Sequence, residues 1–122
     1  MTERLTLGQL ALLAAYATGM AGGQILFKSA ALRFAGEGTL GTRALSLFQN
    51  GYFIAAILLY GALSVLWVWV LTFTPLSRAY PFVAIAFALT PLLGGLIFSE
   101  PLSLRLLVGI AVIACGLVLV AG

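Results

Sequence analysis

The chain has 122 residues, 63% of them hydrophobic and only 7% charged, against about 25% charged in an ordinary soluble domain. Six basic and three acidic residues give a formal net charge of +3, with no histidine and one cysteine, Cys115. This composition excludes a sizeable soluble active site, an intrachain disulfide, and the commonest metal ligand and general base. No metal, cofactor or nucleic acid is expected, and the chain does not read as an enzyme.

Four long stretches, Leu7 to Phe27, Gly51 to Phe73, Ala79 to Phe98 and Leu106 to Ala121, contain no Asp, Glu, Lys or Arg. A helix needs roughly 20 residues to cross a hydrocarbon core about 30 Å thick. The predicted architecture is therefore all-α: one domain over 1–122, with spans at about 7–28, 51–73, 79–98 and 102–121. The first stretch is too long for the apolar part of a signal peptide and runs into Lys28 without a small-residue cleavage pattern.

Helix one follows a short arm, Met1 to Thr6. Its residues Ala15, Gly19 and Gly23, with Gly22 beside them, form a ridge of small side chains that lets another helix approach closely. Met20, Gln24 and Lys28 recur one turn apart on a neighbouring face. A glutamine in hydrocarbon seeks a hydrogen-bond partner, and a lysine beside it offers a point charge suited to an anion such as phosphate. A lysine at a helix end also snorkels to the interface without any ligand, so position alone leaves both readings of Lys28 open.

A connector from about Arg33 to Asn50 follows, broken by Gly36, Gly38, Gly41 and Asn50. Within it Leu40, Ala44, Leu45 and Phe48 recur at helical spacing opposite Thr42, Arg43 and Gln49. Over 39–49 this fits an amphipathic helix on the membrane surface, with a polar loop as the alternative. Helix two carries Trp67 and Trp69 well inside its apolar run, where they are expected to pack on lipid or on other helices. The link Thr72 to Arg78 is tight, so helices two and three are antiparallel neighbours.

Helix three opens on Arg78, Ala79, Tyr80 and Pro81. Arg78 reads either as an interfacial anchor or as a substrate contact, and Tyr80 either as a belt aromatic or as a cavity wall. Pro91 lies mid-span with Gly94 and Gly95 one turn on; a buried proline removes a backbone hydrogen bond, which makes the three a candidate hinge. Ser99 to Leu102 link helices three and four. Pro101 suits a first helical turn, and Glu100 suits the positive end of the helix that follows. Helix four bears Gly109 and Gly116 two turns apart on one face, a groove expected to receive a second subunit.

The three acids, Glu3, Glu37 and Glu100, all lie outside the apolar stretches. A group that trades a proton for a substrate is usually a desolvated carboxylate or histidine inside the membrane, and here there is none. Arg4 and Arg78 fall on one side of the membrane, and Lys28, Arg33, Arg43 and Arg105 on the other, which puts the first connector in the cytoplasm by the positive-inside rule. With Lys28 counted inside the membrane the margin is one residue, so orientation and dual topology stay open.

The segment Ala21 to Ala30, Thr74 to Pro81, Ser99 to Leu102 and the Gly109 to Gly116 helix together resemble the drug/metabolite transporter superfamily in its four-helix form. In its small multidrug resistance branch, helix one carries a glutamate eight residues before the lysine. That position is Met20 here, and the tryptophan found three residues after the site tyrosine in many members is Val83. The chain is more similar to the small subunits implicated in flipping 4-amino-4-deoxy-L-arabinose linked to undecaprenyl phosphate. These lack the acid too, and they share the patterns matched by Gly23, Gln24 and Lys28, by Ala79 to Pro81 and by Glu100-Pro101.

This resemblance implies a bundle like that of the small multidrug resistance proteins, working as a homodimer or as a heterodimer with a similar small chain in the bacterial inner membrane. It implies a flippase, or a subunit of one, for a polyprenyl-phosphate-linked sugar. Lys28 and Arg78 would then meet the phosphate, Gln24 and Tyr80 the sugar, and membrane lipid would take the prenyl chain. Two other classes remain in play: an exporter of a small polar metabolite or cation, driven by a proton gradient, and a membrane subunit that anchors a glycosyltransferase.

Overall fold

The computed structural model describes residues 5–34 and 38–121. Glu3, Arg4, Gly36 and Glu37 lie outside the described residues. The described chain contains helices and no strand: α1 (Leu7–Leu32), α2 (Leu40–Phe48), α3 (Gly51–Leu71), α4 (Leu76–Ala79), a 3-10 turn (Tyr80–Val83), α5 (Ala84–Phe98) and α6 (Leu104–Ala121). The four expected spans are present as α1, α3, Leu76–Phe98 and α6, each long and apolar enough to cross a membrane.

The helix ends follow from local chemistry. Thr6 and Gln9 close a capping box at the start of α1, each side chain accepting from the other's backbone N–H. The helix runs for 26 residues, about 39 Å at the usual rise, and so extends one turn beyond Lys28. Asn50 caps α3, its Oδ1 accepting from Tyr52 N–H at 3.0 Å while its Nδ2 donates to the Ala30 carbonyl at 2.9 Å. At the other end of the pair, Gln9 Nε2 donates to the Phe73 carbonyl and to Thr74 Oγ1. Two side-chain amides thus pin α1 to α3 at opposite ends, where the backbone leaves its helical ladder and needs partners.

The α1–α3 seam between those pins is antiparallel and closely packed. The Leu63 side chain seats over Gly19 and the Tyr60 ring over Gly23, while Tyr16 stacks on Trp67 with ring centroids 4.8 Å apart. The expected ridge of small residues is therefore used within the chain, and Trp67 packs on another helix rather than on lipid. Trp69, more than half exposed, meets Phe73 edge to face.

The third span is not one uniform helix. Pro81 lacks an N–H to continue the ladder, and the helix tightens to 3-10 geometry over Tyr80–Val83 before α5 begins. Pro91, by contrast, lies inside an unbroken α5, and its two candidate hinge glycines are covered: Gly94 by the Glu100 carboxylate and Gly95 by Leu102. The compact core of Leu13, Val70, Ala79 and Phe82 draws α1, α3 and the third span together near the Gln9 end. Large apolar side chains such as Leu58, Val65, Leu96 and Leu119 face outward, the reverse of a water-soluble bundle and what hydrocarbon surroundings favour.

Ser103 caps α6, its Oγ accepting from Leu106 N–H at 3.1 Å. The helix therefore starts at Leu104 rather than at Pro101, which stays in the link. No residue of α6 is buried.

Candidate functional site

Gln24 and Lys28 project from α1 where it lies between α3 and α5, packing on both. Gln24 reaches toward α3, its Nε2 donating to Tyr60 Oη at 2.7 Å, and Tyr60 Oη donates in turn to the Met20 carbonyl at 2.9 Å. The direction of this relay follows from donor count. The Met20 carbonyl can only accept, so the single phenolic hydrogen is spent on it, and Gln24 must present its amide N–H₂ to the phenol. The Gln24 amide oxygen then points away from the relay, and among the described residues it accepts no hydrogen bond. Phe27 stacks on the same Tyr60 ring at 5.3 Å. The phenol is thereby fixed on both sides, and through it the glutamine.

Lys28 reaches the other way, to the end of α5. Its Nζ lies 3.3 Å from Glu100 Oε2, with side-chain exposures of 42% and 47%. The pair forms because Ser99 ends α5 in the left-handed region, at φ 55°. That conformation costs a non-glycine residue roughly 1–2 kcal/mol. It turns the chain back so that Glu100 lies over Gly94, where an added Cβ would stand 2.8 Å from Oε1. Both charges are about half accessible, and at 3.3 Å the contact is longer than a tight charged hydrogen bond. Accessible ion pairs of this kind contribute about 0–1 kcal/mol, so this one opens at little cost.

The pairing sets Lys28 apart from the other basic residues at this end. Arg33 lies over the Tyr52 ring at 5.0 Å and Arg43 over Phe34 at 5.6 Å, each held by an aromatic face. Lys28 is held instead by the Glu100 carboxylate, and a ligand with matching charges can exchange into such a contact.

The four expected contact residues do not form one cluster. Lys28 and Gln24 are neighbours. Arg78 lies in α4, beside the Gln9 end of α1, and nineteen residues separate Gln9 from Lys28, roughly 28 Å along a helix. Tyr80 belongs with that far half as well, more than half exposed and edge-on to Trp67 at 6.3 Å. A single phosphate cannot touch Lys28 and Arg78 of one chain at once. Sequence reasoning passed over Tyr60, an unremarkable tyrosine within an apolar run. It also gave Glu100 to the start of the last helix. The signal for Glu100 lay in the topology, since an even number of crossings brings the ends of α1 and α5 to the same surface.

Gly109 and Gly116 are exposed on α6, and a Cβ added at either would meet nothing within 4 Å. Gly109 borders an open groove of about 410 Å³ between α5 and α6, lined by Phe87, Pro91, Leu106 and Ile110, with Ser103 and Arg105 also on its wall.

Three known proteins are similar to this chain in sequence. Over 101 residues the chain is 36% identical to a probable 4-amino-4-deoxy-L-arabinose-phosphoundecaprenol flippase subunit ArnE of Enterobacter sp. (strain 638), covering 83% of this chain and 85% of that one. Proteins of the same description from Proteus mirabilis (strain HI4320) and Sodalis glossinidius (strain morsitans) are each 33% identical. They cover 81% and 77% of this chain, and 84% and 79% of their own lengths. No protein-family model and no solved structure matches the chain.

Proposed function

This chain belongs to the family of 4-amino-4-deoxy-L-arabinose-phosphoundecaprenol flippase subunits, and from that premise we propose that it carries such a lipid-linked sugar across the bacterial inner membrane. The observation that supports a site for it is the adjacency of Gln24 and Lys28 near one end of a helix long enough to span the bilayer. Lys28 meets the phosphate as a point charge. The Gln24 amide oxygen, turned outward by Tyr60, accepts from a sugar hydroxyl. The prenyl chain never leaves the lipid, so the protein need only shelter the polar head. Tyr80, beside Trp67, and Arg78 receive that head in the other half of the membrane, as later stations on its path.

Four helices are too few to enclose such a head, and a second subunit completes the path. Its seat is the open face of α6, where Gly109 and Gly116 allow close backbone approach. The partner is either a second copy or a similar small chain. Pro91, which leaves a backbone carbonyl of α5 without its usual donor, bends that helix as the head passes, with Gly94 and Gly95 releasing the side chains now covering them.

The test is transbilayer movement in vesicles made with the lipid-linked amino sugar, with the protein added alone and together with a similar small subunit. A membrane-impermeant amine reagent reads the sugar directly. Without protein it reaches the outer leaflet only; with a working flippase nearly all of the amine becomes reactive. Inner-leaflet amine that stays protected in both protein preparations overturns the reading. Movement that collapses with the proton gradient and ignores the polyprenyl carrier would point to the exporter class instead.

A further inference from the structure

We infer that Glu100 is the residue that selects an amino sugar over a neutral one, by exchanging its contact with Lys28 for the ammonium group of the cargo. The inference rests on the proposed function above and deepens it. The sugar named in the relatives carries an amine and a phosphate, one positive and one negative charge on opposite sides of one ring. The protein offers the complementary pair, Lys28 and Glu100, 3.3 Å apart and each about half accessible.

When the head group enters between them, Lys28 turns to the phosphate and Glu100 to the ammonium. Two ion pairs replace one, and no charge is left alone at the membrane boundary. A carrier with a hydroxyl in place of the amine takes Lys28 and leaves Glu100 without a partner. The amino carrier thus gains a charged contact that the hydroxyl carrier cannot make, and Glu100, about half accessible, falls back on water when that contact is missing.

Three features place Glu100 for this task. It is the one carboxylate among the described residues. The left-handed Ser99 turns it inward instead of leaving it at the start of α6. Gly94 leaves the space it occupies, since any side chain there would push the carboxylate off. A residue serving only to cap α6 would need none of this, and Ser103 already fills that role.

The experiment compares two carriers, the amino sugar and its hydroxyl counterpart, in vesicles containing the protein with whichever subunit supports flipping. Cleavage of the shared ring diol by impermeant periodate reads both. Wild type is expected to move the amino carrier about tenfold faster or more, the size of one charged hydrogen bond. Glu100→Gln should lose that preference by slowing the amino carrier, Glu100→Asp should keep part of it, and Lys28→Met should lose both carriers. A Glu100→Gln protein that keeps the wild-type preference overturns the inference. So does a folded one, by circular dichroism and gel filtration, that loses both carriers equally, because Glu100 would then serve only to hold Lys28. If Glu100→Gln does not fold, Glu100→Asp and wild type decide: no preference in wild type, or a full preference with slower movement of both carriers in Glu100→Asp, overturns it. Wild type inert toward both carriers removes the proposed function itself, an outcome distinct from a flippase that ignores the amine.

Discussion

Gly19 and Gly23 of α1 and Gly109 and Gly116 of α6 each share one face of their helix and have opposite surroundings. Gly19 and Gly23 lie under Leu63 and Tyr60, so close that a Cβ at Gly23 would come within 2.5 Å of the ring. Gly109 and Gly116 have nothing within 4 Å, on a helix with no buried residue. In a membrane, spaced small residues mark a surface that lets a backbone come near, but not whose backbone. On α1 the neighbour is α3 of the same chain, and its closeness holds the Gln24–Tyr60–Met20 relay in place. On α6 the place is open, and it is the seat proposed above for a second subunit.

The largest effect that sharpens this contrast should come from Gly23→Leu. The new side chain has to displace an aromatic ring fixed by Phe27 and by its bond to Met20, and overpacking of this kind costs about 1–3 kcal/mol or more. Thermal unfolding in detergent should fall well below wild type, or folded protein should not be recovered. Gly109→Leu combined with Gly116→Leu should do the reverse, leaving the helical content of the chain unchanged while shifting its mass in mild detergent, or its cross-linking, from dimer to monomer. A dimer that survives the double change breaks the comparison, because α6 would then have no use for its open glycines.

Tyr60→Phe is the mildest change. It keeps the stack on Phe27 and removes the hydrogen bonds to Gln24 and Met20, a loss of about 1 kcal/mol in a typical case. Melting should drop by a few degrees, with flipping slowed because Gln24 is no longer aimed. Flipping at the wild-type rate in Tyr60→Phe would show that the relay only packs the helices.

The spans were legible because crossing hydrocarbon leaves a one-dimensional trace, long apolar runs without charge. The ridge on α1 was legible for the same reason, as small residues at helical spacing, but its neighbour was not, since every helix offers several faces. Pro81 and Pro91 read alike in sequence. Only the fold separates them, since the helix tightens to 3-10 geometry over Tyr80–Val83 and runs unbroken through Pro91. Glu100 escaped because its direction depends on one backbone conformation, the left-handed Ser99, which no residue pattern announces in a serine. Lys28 and Gln24 stood out from the start, as polar groups in an apolar face call for a reason wherever they occur.

The measurement closest to the central claim is the rate at which Lys28 variants move the lipid-linked amino sugar across reconstituted vesicles. Lys28→Met keeps an unbranched side chain only one atom shorter and removes its charge, and the Glu100 it leaves behind is exposed enough to be solvated. The protein should therefore remain folded and inserted. The account predicts that Lys28→Met moves the carrier at least tenfold more slowly than wild type, the size of one charged contact, and that Lys28→Arg keeps part of the rate. A folded Lys28→Met protein as fast as wild type would contradict it, since the lysine would then be a membrane-surface anchor and the phosphate would be held elsewhere.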